Sequence, residues 1–85
     1  MQEFTYTLKD PVGIHARPAG ILARKVKDFE STVTIIKGEQ SASAGALMKV
    51  MALGAKQGDE ITIRVEGPDE DVCAKVVEGF FRENM

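Results

Sequence analysis

The sequence predicts an α/β (α+β) open-faced sandwich, in which a four-stranded antiparallel sheet is covered on one face by three helices. Strand-like alternation and helix-like spacing follow one another along the chain in the order βαββαβα. Each predicted strand has one apolar side, and an antiparallel sheet can leave its other side in water. The 85 residues fit a single domain over 1–85. A generic ferredoxin-like domain is the alternative fold, because a third helix does not exclude it.

The first strand, a turn and the first helix are predicted from the N-terminal third of the chain. Residues 3–8 alternate between polar and apolar side chains, which is the period of a half-buried strand. The DPVG stretch at 10–13 has turn-forming chemistry and leads into His15. Pro18 is tolerated only in the first turn of a helix, so this helix must begin beside His15. The apolar residues that predict its buried stripe are Ala19, Leu22, Val26 and Phe29.

A hairpin and a short second helix are predicted next. The stretch STVTIIKGEQSASA predicts two strands joined at residues 37–39, with Gly38 as the left-handed residue of the turn. Helical spacing then runs through ALMKVMALG at 46–54, and Gly54 stands where a helix usually closes. The apolar residues at that spacing are Leu47, Val50, Met51 and Leu53.

The last strand and helix complete the predicted order. EITIRVE at 60–66 alternates strictly, and residues 67–69 (Gly-Pro-Asp) are expected to break this strand and to cap the final helix. The acids at 69–71 complement the positive end of that helix and are a simpler match to this role than to a cation site. Cys73 is expected to be a small buried or half-buried apolar residue. The predicted buried stripe consists of Val72, Val76 and Phe80.

Composition and charge exclude several classes of function. Eleven Lys and Arg against thirteen Asp and Glu give a formal net charge of -2, which argues against nucleic acid as a partner. The single cysteine excludes an internal disulfide and is too few for a zinc site. The start of the chain lacks the features of a signal peptide, and no apolar run approaches the roughly 20 residues of a membrane helix. We therefore expect a cytoplasmic monomer that binds no membrane, metal or cofactor.

His15 is the only histidine in the chain, and its place at a predicted helix start gives it a possible chemical role. The first N–H groups of a helix lack intrahelical partners and, with the positive end of the helix dipole, form an anion site. Arg17 adds a planar fork of donors that suits phosphate or carboxylate oxygens. Positive potential disfavours a protonated imidazole, and the neutral ring can attack phosphorus. By spacing alone, however, a lone histidine at a helix start is more often a capping or surface residue.

Three stretches carry a resemblance to a known family. GIHARPA at 13–19, SASAGALMKVMALGAKQGDEITI at 41–63 and GPDED at 67–71 resemble the HPr family, the histidine phosphocarrier proteins of the bacterial phosphoenolpyruvate-dependent sugar phosphotransferase system. The similarity covers essentially the whole chain. The fold of that family agrees with the βαββαβα order predicted above.

The resemblance implies a role for each matching residue. His15 matches the residue that is phosphorylated by enzyme I and dephosphorylated by IIA proteins or domains, which implies a phosphoryl carrier and not an enzyme. Arg17 matches the residue that pairs with the phosphate, and the backbone N–H groups of Ala16 and Arg17 would also contact it. The apolar partner surface of the family and its polar rim match Gly20, Leu47, Met48, Met51, Gly54, Arg24, Lys27, Lys49 and Gln57.

Four positions of the second helix bear on how far this resemblance extends. Leu47 and Met51 could equally belong to the core, whereas Met48 lies off the apolar stripe and is expected to be exposed. The family commonly has a serine at the start of this helix that a dedicated kinase phosphorylates. This chain has Ala46 there, which has no hydroxyl group to modify. Regulation through that serine is therefore not implied for this chain.

Three other functions are compatible with some of these observations. A regulatory or nitrogen-type HPr paralogue would act by phosphorylation-dependent docking, and the missing serine is compatible with it. A small phosphatase or phosphotransferase would use His15, but the sequence identifies no second general acid or base near it, and so small a domain is not expected to have a deep pocket. A structural or RNA-binding module is disfavoured by the charge and by the lack of paired aromatic residues on the strands.

Overall fold

The computed structural model describes residues 1–85 and has the predicted order of elements. The first helix begins at Ala16, directly beside His15, as Pro18 requires. None of the three helices is both long and apolar enough to cross a membrane. The strands and helices are β1 (Gln2–Thr7), α1 (Ala16–Val26), β2 (Thr32–Lys37), β3 (Gln40–Ser43), α2 (Leu47–Ala52), β4 (Glu60–Glu66) and α3 (Glu70–Asn84).

The four strands form one sheet in the order β1-β4-β2-β3, and every neighbouring pair is antiparallel. Ile63 of β4 lies opposite Phe4 of β1 on one side and opposite Ile35 of β2 on the other. The apolar sides of the strands therefore share one face, and the three helices cover it, which confirms the predicted open-faced sandwich. The fully buried side chains at the centre include Leu22, Ile35, Val50, Ile61, Ile63, Val65, Val77 and Phe81.

The turns lie where glycine predicted them. The β2–β3 hairpin turns at residues 38 and 39, and Gly38 has a φ of +59°. Gly54 follows α2 with a φ of +65°. Both glycines adopt the left-handed backbone that side chains with a Cβ disfavour, so these two chain reversals depend on local sequence.

The buried stripe of α3 differs from the prediction. Val72 is 59% exposed and Val76 is 37% exposed, so the predicted stripe was wrong at these two positions. The stripe that packs on the sheet lies one residue later and consists of Cys73, Val77, Phe80 and Phe81. Both sets have helical spacing and share Phe80, so the periodicity alone did not distinguish them. Cys73 is fully buried, as expected of a small apolar residue.

Asp69 also differs from the prediction, because its side chain makes no capping hydrogen bond to α3. Its carboxylate instead accepts hydrogen bonds from the backbone N–H groups of Glu30 (2.9 Å) and Ser31 (3.0 Å), and from the Ser31 hydroxyl. At the start of α3, Glu70 Oε1 accepts from the N–H of Gly67 at 3.2 Å. Asp69 therefore joins the beginning of α3 to the loop that precedes β2.

Candidate functional site

His15 lies at the N-cap of α1, and its side chain is not used for capping. Its backbone is extended, with φ −134° and ψ 172°, and its carbonyl accepts the first helical hydrogen bond, from Ala19 N–H at 3.1 Å. The side chain makes no hydrogen bond to the helix and is 36% exposed. The imidazole is therefore held at the surface with its ring nitrogens available, which argues against a capping role.

The turn before His15 is docked against another part of the backbone. Gly13 has a φ of +76°, and its N–H donates to Asp10 O at 2.9 Å. The N–H of Ile14 donates to Ala55 O at 3.1 Å. A Cβ on Gly13 would lie only 2.4 Å from the Ala55 carbonyl oxygen, so only glycine permits this approach. The position of His15 thus depends on a tertiary contact with the segment that follows α2.

The start of α1 has unpaired donors and no negative charge of its own. The N–H groups of Ala16 and Arg17 donate to no acceptor within the chain, and the first turn contains no acidic residue. The exposed guanidinium of Arg17 lies at the same end of the helix. Unpaired N–H groups and the positive end of the dipole together favour a bound anion. A shallow hollow of about 170 Å³ lies here, lined by Asp10, His15, Arg17, Pro18, Ile21 and Asn84.

The structure places an acidic side chain beside His15 that the sequence analysis did not identify. Asp10 Oδ2 lies 3.6 Å from His15 Nε2. The other carboxylate oxygen, Oδ1, accepts a hydrogen bond from Val12 N–H at 2.8 Å. The expectation that no second acid or base stands near His15 was therefore wrong. Asp10 begins the DPVG turn, and a tight turn brings together residues that are several positions apart in the chain. The turn residues were therefore the signal from which this contact could have been predicted.

The residues predicted for the partner surface lie on and after two adjacent helices, α1 and α2, which pack against each other. Met48 is 76% exposed, as expected, and Met51 is 37% exposed. Leu47 is half-buried and packs against the core. Leu47 and Met51, which could equally have been core residues, are thus only partly buried. Gly20 is half-buried, and the remaining members are exposed: Arg24, Lys27, Lys49, Gly54 and Gln57.

Lys37 fixes the C-terminal end of α2. Its Nζ lies 3.4 Å from the carbonyl oxygens of Leu53 and Gly54 and 3.6 Å from Asp59 Oδ2. A cation is favourable at the negative end of a helix, where the last carbonyl groups lack partners. Asp59 itself accepts from Lys56 N–H at 2.9 Å, and this bond, with the charge of Lys37, lowers the pKa of the Asp59 carboxyl. The short α2 therefore has a defined end beside the segment that docks Gly13.

The fold and the site together define a class of protein. It is a small open-faced sandwich that presents one histidine in a shallow hollow, at a helix start with unpaired N–H groups. Small-molecule sites are usually enclosed pockets, and this hollow is not one.

Comparison with known proteins identifies the family. The model described as "PTS HPr component phosphorylation site" matches residues 2–83, nearly the whole chain. The chain belongs to this family, PTS-HPr, and is an HPr phosphocarrier of the phosphotransferase system. Proteins of this kind carry a phosphoryl group and are not themselves catalysts.

Individual relatives agree with this assignment. The phosphocarrier protein HPr of Mycoplasma capricolum is 40% identical over 77 residues, which cover 91% of this chain and 86% of that protein. The phosphocarrier protein HPr of Lysinibacillus sphaericus is 42% identical over 71 residues, covering 84% of this chain and 81% of that protein. A solved structure of the histidine-containing phosphocarrier protein of Mycoplasma superimposes with a TM-score of 0.90 and 38% identity, over 93% of this chain and 90% of that one.

Proposed function

We propose that His15 accepts a phosphoryl group from phosphorylated enzyme I and passes it to IIA proteins or domains that serve sugar uptake. One observation carries the proposal: an imidazole that caps nothing stands beside two unpaired helical N–H groups and an exposed guanidinium. Each of these groups gains a partner when a phosphoryl group is attached to the ring. Residues 1–85 are proposed to be sufficient for this role as a single domain.

The chemistry of loading requires little from the protein beyond position and charge. The lone pair of a ring nitrogen forms a bond to phosphorus while the bond between phosphorus and the donor breaks, and that electron pair leaves with the donor. The attached phosphoryl group brings about −1.5 to −2 charges to a position that had none. Arg17 and the N–H groups of Ala16 and Arg17 would stabilise this charge.

The strength of the proposed site is consistent with transfer. A helix terminus offers roughly 0.3–1 kcal/mol to an anion, and a charge-assisted hydrogen bond roughly 1.5–3 kcal/mol, less in water. Each additional ~1.4 kcal/mol of ground-state stabilisation would slow release of the phosphoryl group tenfold. A shallow site with a few solvated donors therefore holds the group without trapping it.

We also propose that α1 and α2 form the surface on which enzyme I and the IIA proteins dock. Met48 and Met51 project apolar, flexible side chains from α2, and such side chains adapt to more than one partner. Three exposed cations lie on or directly after the same two helices: Arg24, Lys27 and Lys49. The surface therefore combines an adaptable apolar centre with positive charge, which favours partners with acidic rims.

Regulation by a serine kinase at the start of α2 is not part of the proposed function. Ala46 is the N-cap residue of α2 and is half-buried. Because a methyl group cannot be phosphorylated, a serine kinase has no substrate at this position. Control of this carrier is proposed to depend on the supply of phosphoryl groups and on the partners that compete for them.

The test is the intact mass of the protein after incubation with phosphoenolpyruvate, magnesium and an active bacterial enzyme I. We expect one acid-labile phosphoryl group on the native protein and none on His15→Ala. Adding purified IIA proteins in turn should remove the group and identify the acceptor. A folded protein that stays unmodified, while a control HPr is loaded in the same mixture, would overturn the proposal and favour a regulatory paralogue that acts by docking.

A further inference from the structure

We propose that Asp10 is a positioning residue that holds the proton of His15 on Nε2 and leaves the lone pair of Nδ1 free to accept the phosphoryl group. This inference rests on the proposed function of His15 and adds to it a residue that orients the ring. The observation behind it is the approach of Asp10 Oδ2 to His15 Nε2, at 3.6 Å.

Asp10 is fixed in place by bonds that do not involve His15. Its N–H donates to the Met85 main-chain oxygen at 2.9 Å, and its carbonyl accepts from Gly13 N–H at 2.9 Å. Its Oδ1 accepts from Val12 N–H at 2.8 Å. These three bonds hold both the backbone and one carboxylate oxygen, so the second oxygen, Oδ2, faces the imidazole without a partner of its own. A group locked in this way is suited to orient its neighbour.

His15 is held from its own side as well. The preceding residue, Ile14, is bonded to Ala55, and the carbonyl of His15 accepts from Ala19 N–H. The backbone on both sides of the ring is therefore fixed, and the Nε2 edge of the ring faces a carboxylate. At 3.6 Å the contact is longer than a hydrogen bond, but hydrogen bonds of this kind often tighten only when the reacting group is bound. The side chains of Asp10 and His15 are 28% and 36% exposed, so water screens the contact only in part.

The charge of Asp10 has two consequences for the ring. In the neutral imidazole, a carboxylate beside one nitrogen favours the proton on that nitrogen, which leaves the lone pair on the other. As Nδ1 forms its bond to phosphorus, positive charge develops on the ring and the Nε2 proton becomes more acidic. The carboxylate of Asp10 stabilises this proton where it is, so no proton needs to leave during loading or unloading. The guanidinium of Arg17 remains available to bind the phosphoryl oxygens.

The first test is the tautomer of His15, measured from imidazole ¹⁵N chemical shifts at about pH 9, where an imidazole is neutral. The native protein should hold the proton on Nε2. Asp10→Asn retains an acceptor for Val12 N–H and turns an N–H donor toward Nε2, so it should shift the proton toward Nδ1. Asp10→Ala should lower the ratio of the Nε2–H to the Nδ1–H form by about two- to fivefold, the range of a partly exposed charge contact. Asp28→Asn, which removes one exposed negative charge elsewhere, is the matched control.

The second test is the rate of phosphorylation by phosphoramidate, a small donor that needs no partner protein. We expect Asp10→Asn to accept the phosphoryl group about two- to fivefold more slowly than Asp28→Asn. The native phosphoprotein should carry phosphorus on Nδ1, detected by coupling between ³¹P and the ring ¹⁵N.

The outcomes separate this inference from the function on which it rests. A native ring with its proton on Nδ1 overturns the role of Asp10, and this result needs no variant to fold. So does an unchanged tautomer ratio in both Asp10 variants, even if His15 is phosphorylated normally. Failure of enzyme I to load the native protein would instead overturn the proposed function, whatever the tautomer.

Discussion

The starts of α1 and α3 differ in whether the chain supplies negative charge to the positive end of the helix. Both helices expose N–H groups at a positive end. At α3 the chain supplies its own negative charge, with Glu70 and Asp71 in the first turn and a bond from Gly67 N–H to Glu70. At α1 there is no acidic residue in the first turn and no side-chain cap, and the residue at the N-cap is His15.

Under the proposed function, this difference marks the place where the fold gives up stability for phosphoryl transfer. An acidic residue in the first turn contributes typically 0.3–1 kcal/mol, and α1 forgoes it. The donors that remain at α1 are available to a group that arrives from outside. At α3 the positive end of the helix is met by acidic side chains of the helix itself. The absence of first-turn acids at α1 is thus what the proposed function would require, whereas the acids at α3 stabilise their own helix.

The largest expected effect is the loss of stability when the close approach of Gly13 to Ala55, which supports the start of α1, is disturbed. Gly13→Ala forces a Cβ into the left-handed region and to 2.4 Å from the Ala55 carbonyl oxygen, so we expect unfolding free energy to fall by about 2–5 kcal/mol. Gly38→Ala is the matched control, because Gly38 also has a positive φ but has no neighbouring atom within 4 Å. It should lose only about 1–2 kcal/mol. Equal losses in urea unfolding of the two variants would show that the docking against Ala55 does not stabilise the site.

A smaller and pH-dependent loss of stability is expected when the carboxylate of Asp69 at the start of α3 is removed. Hydrogen bonds from the Ser31 hydroxyl and then from Glu30 N–H lower the pKa of Asp69 below its usual value of 3.8. The folded protein therefore binds this proton more weakly than the unfolded chain, so the stabilisation is fully present above pH 3.8 and is lost as the pH falls through the folded-state pKa.

The variant that tests this is Asp69→Asn. It should be less stable than the native protein at neutral pH, and the gap should close as the pH is lowered below 3.8 in thermal unfolding. Asp28→Asn, in an exposed position, should differ little from the native protein at any pH. A constant gap for Asp69→Asn across the acid range would mean that its carboxylate charge does not stabilise the fold.

The smallest effect is expected from making α1 resemble α3. Ala16→Glu places an acid in the first turn of α1 and should raise the unfolding free energy by about 0.3–1 kcal/mol relative to Ala16→Gln, which has the same length without the charge. The same change should slow phosphoryl acceptance by phosphoramidate, because the new carboxylate competes for the donors and repels the anion. Faster acceptance in Ala16→Glu than in Ala16→Gln would contradict the proposed use of this helix start.

Local sequence was sufficient to predict the order of the elements and the position of His15. Pro18 restricted the start of α1 to the residues beside the histidine, and Gly38 marked the hairpin turn, because both residues act on their own backbone. The buried face of α3 was predicted wrongly at Val72 and Val76. Two stripes of helical spacing coexist there, and only the packing of the helix on the sheet decides between them.

The parts of the site that sequence alone did not predict are contacts between separate turns and loops. Asp69 bonds to Ser31, 38 residues away, and not to its own helix, so a residue with capping chemistry performed a tertiary role. Asp10 approaches His15 through the geometry of a turn, which residue types indicate but do not fix. Spacing along the chain predicts side chains on one helix face well, whereas it does not fix which carboxylate a turn brings to an imidazole.

The most direct test of the contrast between the two helix starts is the change in backbone amide chemical shifts when His15 is phosphorylated. We expect large shifts for the N–H groups of Ala16 and Arg17 and almost none for those of Glu70 and Asp71. Such a result would show that the open start of α1 receives the phosphoryl group. Unchanged Ala16 and Arg17 amides in a fully phosphorylated protein would contradict the account, because the phosphoryl group would then be held without the helix start.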